Sequence, residues 1–300
     1  MDESILQSLR QRLLTRAPLD TIPDSVWRRT GALNTWGTNA IEGNTLTREE
    51  VERLLLEQRS VADRPVPDVM ETIQHEAAFR GLLQRRASPI RLATALELHE
   101  AVFKGIKADA GMWRRINVRI TGARFTPPRA EKLLPLLDAW ERKYARRDLR
   151  GEDVFEVGAW SHVRFEAIHP FADGNGRAGR LLLNLHFLKH DWPPVHVLPP
   201  DRDRYLRGLE AGHADDLAPL TEFLRVAMAR SLLDLLDQVG TKEDALLPVA
   251  ELAHGGPYSP KYLALRMSQG EMPGLKVSGD WRSSRAAVRS YRQMLGRDRP

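Results

Sequence analysis

The feature that most constrains this chain is one unbroken string, His169-Pro170-Phe171-Ala172-Asp173-Gly174-Asn175-Gly176-Arg177-Ala178-Gly179-Arg180. It lies between two runs with helical periodicity. Residues 152–168 place Phe155, Ala159, Val163 and Ile168 near helical spacing, and Leu181, Leu182, Leu185 and Leu188 resume the period afterwards. Pro170 disfavours helical geometry at His169, so the first helix is expected to stop there. Gly174 and Gly176 admit positive φ and let successive backbone N–H groups turn toward one point. Such a nest at the start of a helix attracts anions, because its amides lack intrahelical partners and the macrodipole is positive there. Arg177 and Arg180, three residues apart, can flank one anion from a single helix face. His169 is a candidate general base, with an ordinary pKa near neutrality. Asp173 is a hard oxygen donor suited to Mg²⁺. A polar turn that merely caps the next helix is the plain alternative, but it would not need this full set of parts.

The string resembles the motif of the Fic family, HPFx(D/E)GNGRxxR, at every defined position. The resemblance implies a nucleotidyltransferase that moves AMP from ATP onto a protein Ser, Thr or Tyr hydroxyl. It makes His169 the group that deprotonates the target and Asp173 the holder of a Mg²⁺ bridging the α- and β-phosphates. Gly174, Asn175 and Gly176 would cradle the phosphates, with Arg177 near the β-phosphate and Arg180 at the γ-phosphate. Fixed cations and amides around the reacting phosphorus would stabilise its developing charge without reorganising. Asn184, one turn beyond Arg180 on the same face, is a further candidate for the nucleotide pocket.

Upstream, Pro23-Asp24-Ser25 can start a helix, and residues 26–41 continue it with Trp27, Leu33, Trp36 and Ile41. Gly43 or Asn44 suits its left-handed cap. Glu42 then lies at a helix C-terminus, where an acid opposes the dipole and a partner elsewhere is expected. Thr38-x-x-x-Glu42-Gly43 is similar to the inhibitory motif (S/T)xxxE(G/N) of Fic proteins in the class with an N-terminal inhibitory helix. The resemblance pairs Glu42 with Arg180 and so blocks productive γ-phosphate binding; a carboxylate–guanidinium fork suits such a latch. Some relatives use this Glu to orient water and remove AMP, and others transfer UMP, phosphate or phosphocholine.

Between these regions, Thr47-Arg48-Glu49-Glu50 is a capping box. Helices are expected over 68–86, from Ser88-Pro89 onward, and over 131–146. His99 fits a packed histidine better than a metal ligand, and His162 a hydrogen-bonded support for the helix before the motif. Within 111–128, Val118, Ile120 and Phe125 alternate with polar residues, and Gly122-Ala123 can turn a hairpin. In the family a flap hairpin of this kind docks the protein target by strand addition, which points to 117–126. Helices are also expected over 205–211 and 217–236, whereas 3–20 look like a polar helix.

The sequence has no Cys, which excludes disulfides and a thiol nucleophile and suits a reducing compartment. No secretory signal or membrane-length apolar run is visible, so a cytoplasmic protein is expected. The formal net charge of +5 is uneven: 257–300 hold nine Lys and Arg against three acids, leaving 36 basic and 37 acidic residues elsewhere. That tail follows a linker at 240–242 and reads as a short helix over 246–253, a second helix from Ser259-Pro260, a turn at Gly279-Asp280 and a third helix. It resembles the winged helix-turn-helix domains of excisionase-like proteins. Arg282, Arg285, Arg289 and Arg292 could neutralise DNA phosphates or form a face for a protein partner. The expected architecture is mainly α: a helical region at 1–90 with the inhibitory helix, a Fic core with a small β-hairpin flap at 91–238, and a winged-helix-like domain at 239–300. A nucleotide-sensing DNA-binding regulator is the rival from another class. A homodimer burying the Glu42 helix end is compatible with the sequence but not required by it.

Overall fold

A computed structural model describes residues 1–120 and 125–297. The helices are α1 (Glu3–Arg16), α2 (Asp24–Ile41), α3 (Arg48–Leu55), α4 (Val66–Arg85), α5 (Leu92–Phe103), α6 (Leu133–Leu149), α7 (Val154–Ile168) and α8 (Asn175–Lys189). They continue with α9 (Arg202–His213), α10 (Ala218–Val239), α11 (Val249–Ala253), α12 (Pro260–Gln269) and α13 (Arg285–Arg297). Three short strands, β1 (Leu247–Pro248), β2 (Leu275–Val277) and β3 (Asp280–Ser283), complete the described elements. The mainly helical reading is confirmed.

The chain divides into two compact units, Trp27–Phe223 and a second made of Met1–Val26 with Leu224–Pro300. These limits differ from the boundaries expected near 90 and 238. The reason lies in α1, which packs on α13. The polar look of 3–20 conceals a stripe of Ile5, Leu6, Leu9 and Leu13, all fully buried, at the i, i+4, i+8 spacing of a helix face.

In the 27–223 unit α8 is the central element. It packs on α4, α5 and α7, and α6 covers α7. Every residue from 177 to 188 of α8 is buried, as expected of a helix enclosed on all sides. Its polar members therefore need internal partners. His186 Nδ1 meets the Tyr144 hydroxyl at 3.0 Å and its Nε2 meets the Val154 carbonyl at 2.8 Å. Helix α7 starts on an Asp153 cap, whose carboxylate accepts from Glu156 N at 2.8 Å. It stops at Ile168, two residues before Pro170, with His169 in the left-handed region at φ 51°. Gly174, at φ 81°, then precedes the first residue of α8. The expected hairpin turn at Gly122-Ala123 lies outside the described residues, and no strand is assigned among the described residues of 117–126.

In the other unit the strands form an antiparallel sheet in the order β1-β3-β2. Val277 pairs with Asp280, so the tight turn is Ser278-Gly279, one residue earlier than expected. Both turn residues have positive φ, 51° and 91°, the requirement of a hairpin turn matched to strand twist. Leu247 pairs with Ser283, so the expected helix over 246–253 begins instead as a third strand. Ser259 caps α12 with Pro260 at its first position, and Gly270 ends it at φ 75°. Among the described residues no helix is long and apolar enough to cross a membrane.

Phe187, fully buried against Phe155, tests the α7–α8 core. Phe187→Ala is expected to cost about 3–5 kcal/mol, read as a lower urea midpoint at unchanged slope.

Candidate active site

A cavity of about 1020 Å³ opens in the 27–223 unit, walled by Glu42, Glu166, His169, Gly176, Arg180 and Tyr205 and bordered by Ile120 and Phe125. That volume suits a nucleotide-sized ligand. Arg180 is its electrostatic centre. Its side chain is 6 % exposed, and Nη2 contacts Glu42 Oε1 at 2.7 Å. Nε donates to Thr38 Oγ1 at 2.6 Å, Nη2 to the Thr38 carbonyl at 3.4 Å and Nη1 to the Tyr205 hydroxyl at 3.5 Å. Tyr205 is bonded in turn to His162 Nε2 at 2.6 Å. Burial opposes the charge on Arg180, but Glu42 keeps it firmly protonated. Burial likewise opposes ionisation of Glu42, yet Arg180 and Arg177 hold its carboxyl below the usual range. Thr38, Glu42 and Arg180 are thus brought together, and Gly43 follows α2 with φ 95°. Gly176 makes the contact sterically possible: a Cβ there would run into Glu42 Oε1 and the Arg180 guanidinium.

His169 also faces the cavity. Its Nδ1 lies 3.3 Å from the Glu166 carbonyl, so the proton sits on Nδ1 and leaves Nε2 as the acceptor nitrogen. Burial, aided by Arg114, depresses its pKa against the opposing pull of the Glu166 carbonyl, Glu42 and Asp173. The imidazole is therefore neutral, as a base must be.

The other motif residues are arranged differently from the simple expectation. Asn175 turns inward: Oδ1 accepts from Phe171 N at 2.8 Å and Nδ2 donates to Phe171 O at 2.9 Å. Its side chain braces the turn, and its backbone amide belongs to the α8 terminus. That terminus carries no side-chain cap, so its first amides point outward as an anion site. Arg177 pairs with buried Glu71 at 2.5 Å, approaches Asp173 at 3.4 Å and sits 4.7 Å from the Phe103 ring centre; it does not line the large cavity. Asn184 is likewise absent from that wall. Its Oδ1 accepts from Val195 N at 2.9 Å, so it fixes the backbone after α8.

Asp173, with its side chain 58 % exposed, contacts Lys107 Nζ at 2.5 Å. Burial opposes its ionisation, but Lys107, Arg177 and the Gly174 amide lower its pKa. An exposed, ionised carboxylate beside an anion site fits Mg²⁺, which takes one or two protein carboxylates and fills its shell with water and phosphate. Asp148, His186 and His190 form another cluster of metal-ligand type, but Lys189 and His190 already engage Asp148. His99 is a packed residue, stacked 3.7 Å from Phe171 and bonded to the Asp173 carbonyl at 3.0 Å. In the other unit, Arg285 and Arg289, expected to face DNA, are paired with Glu251 and Glu243.

Glu71, Lys107, Arg114, Glu166 and Tyr205 were not anticipated. Only Glu166 had a local signal, an acid one turn before His169 in an otherwise apolar helix face.

Residues 89–187 match the Fic/DOC family. The chain is 29 % identical over 225 residues to protein adenylyltransferase fic-1 of Caenorhabditis elegans, covering 73 % of this chain and 44 % of that protein. It is 27 % identical over 199 residues to protein adenylyltransferase Fic of Nematostella vectensis, covering 65 % and 46 %. The chain thus spans less than half the length of these relatives. Among solved structures, a C. elegans Fic-1 fragment is similar with TM-score 0.68 and 26 % identity, over 78 % of this chain and 70 % of that one. A Fic family protein of Desulfovibrio desulfuricans shares the fold across 95 % of this chain and 96 % of its own, with TM-score 0.62 and 23 % identity.

Glu166 makes a test of the site's electrostatics. Burial pushes its carboxyl up to about 8. Between the ordinary value of 4.5 and that value the fold keeps a proton that the unfolded chain releases. Stability therefore falls with rising pH, by about 1.4 kcal/mol per unit. Glu166→Gln removes this dependence, so its melting temperature should gain on wild type from pH 5.5 to pH 8.

Proposed function

We propose that this protein is an adenylyltransferase that moves AMP from ATP to a protein Ser, Thr or Tyr hydroxyl, and that Glu42 holds it inactive. The observation that carries the reading is the Glu42–Arg180–Thr38 contact inside the cavity that also contains His169. His169 Nε2 accepts the acceptor hydroxyl's proton. The freed oxygen bonds to the α-phosphorus, the bond to the β-phosphate bridge breaks, and pyrophosphate departs. The α8 amides and Arg177 bind phosphate oxygens, the latter once it turns from Glu71, and Arg180 receives the γ-phosphate in place of Glu42. Asp173 would hold Mg²⁺, which supplies charge neutralisation on the phosphates. Exchanging Lys107 for the ion is electrostatically reasonable, since one cation replaces another. The acceptor segment docks along 117–126, where Ile120 and Phe125 border the cavity.

The same residues serve the reverse reaction, because ionised Glu42 shares the cavity with His169 and is able to orient water. DNA binding through 257–300 has less support, since Arg285 and Arg289 already face acids.

Incubation with α-labelled ATP and Mg²⁺ separates these readings. Glu42→Gly should gain label by at least about tenfold over wild type, which corresponds to about 1.4 kcal/mol, and Glu42→Gly/His169→Ala should lose it. Failure of all three to transfer label, with wild type releasing AMP from a modified protein, would reverse the assignment. The pH profile gives a second check. With its pKa depressed, His169 is neutral down to below its ordinary 6.5, so the acidic limb of Glu42→Gly transfer should lie below pH 6.5. Removing the Glu42 charge, which raises the His169 pKa, moves that limb further down.

A further inference from the structure

Arg114 is 4 % exposed and pairs with no carboxylate among the described residues. Burial alone lowers its pKa. A buried cation without an anion is costly unless its donors are satisfied, and here carbonyl oxygens satisfy them. Nε donates to His169 O at 2.7 Å, Nη1 to Ile116 O at 2.8 Å, and Nη2 to Pro128 O at 2.6 Å and Ile168 O at 3.4 Å. Its own backbone amide donates to Pro170 O at 2.9 Å. One side chain thus engages the last carbonyls of α7 and both ends of the segment 116–128.

Two features make this more than a helix cap. His169 is a non-glycine residue at φ 51°, a conformation that costs about 1–2 kcal/mol and persists only where surroundings enforce it. Arg114 supplies that enforcement at the His169 and Pro170 carbonyls. The segment it also grips carries Ile120 and Phe125 to the cavity, and its base is closed a second time by Ala130 N donating to Asn117 Oδ1 at 2.9 Å.

We infer that Arg114 is a positioning residue that sets the offset between His169 and the cavity wall at Ile120 and Phe125. Four donors of one planar fork hold carbonyls from three stretches of chain at once. Lysine would keep the charge but not the geometry. The inference rests on His169 acting as the base of the proposed transfer. The charged groups around that imidazole are Arg114, Glu42 and Asp173, while Glu166, one turn back on α7, is held protonated by burial up to about pH 8; Arg114 is a cation that favours the neutral form of His169.

The test compares Glu42→Gly with its Arg114→Gln and Arg114→Lys derivatives. Misplacing a base by about 1 Å costs on the order of a hundredfold, so both substitutions should lower kcat by about that factor while leaving affinity for a fluorescent ATP analogue unchanged. The two should differ in the His169 titration, followed by NMR of the imidazole Cε1–H resonance: the midpoint moves up in Arg114→Gln and stays in Arg114→Lys. If Glu42→Gly itself transfers nothing, the proposed function fails while the titration still judges the contact. If Glu42→Gly transfers and both derivatives match its kcat, or if the midpoint does not move in Arg114→Gln, the inference is overturned. Should Arg114→Gln not fold, kcat and nucleotide affinity of Arg114→Lys decide alone.

Discussion

The buried guanidinium of Arg180 is the constraint on which the rest of the site depends. A cation moved into a protein interior loses several kcal/mol of hydration and must recover it from fixed partners. Helix α2 answers with Thr38, the turn after it with Glu42, and α9 with Tyr205. Elements distant in sequence are thereby drawn to one point of α8. The fold and the proposed inhibition are the same physical fact: the carboxylate that stabilises Arg180 occupies the place proposed for a phosphate. A ligand displaces Glu42 only if it brings an anion of comparable geometry.

The same logic runs along the rest of the α8 terminus. Arg177 is matched by Glu71 and Asp173 by Lys107, so the groups assigned to phosphate and metal are already paired within the protein. Nucleotide and Mg²⁺ would take the places of these internal counter-charges. Only the backbone amides lack a side-chain cap. Neutral His169 is held apart from this exchange by carbonyl contacts that do not change charge, with Arg114 tying them together.

Much of the site was legible because its backbone is restricted locally. Pro170, Gly174 and Gly176 leave few conformations to the turn between two periodic runs, and the observed helix ends fall where those residues put them. Glu42 could be singled out because an acid at a helix C-terminus lacks a local reason to be there. Side-chain directions were not legible. Asn175 and Asn184 look like ligand groups in one dimension but are consumed by Phe171 and Val195 backbone groups, and Glu71, Lys107 and Arg114 gain meaning only when distant helices meet. The apolar stripe of α1 was hidden among Gln, Arg and Ser, and a two-residue strand such as β1 has no period to detect. At Ser278-Gly279 the turn chemistry was recognised, but the register needed the strand partner.

The central claim is that Glu42 and a terminal phosphate compete for Arg180. Calorimetric titration of ATP and ADP, with Mg²⁺, into His169→Ala and Glu42→Gly/His169→Ala measures this without turnover. Loss of Glu42 should tighten ATP by at least tenfold, about 1.4 kcal/mol, and leave ADP nearly unchanged. Equal changes for both nucleotides, or none for either, would contradict it.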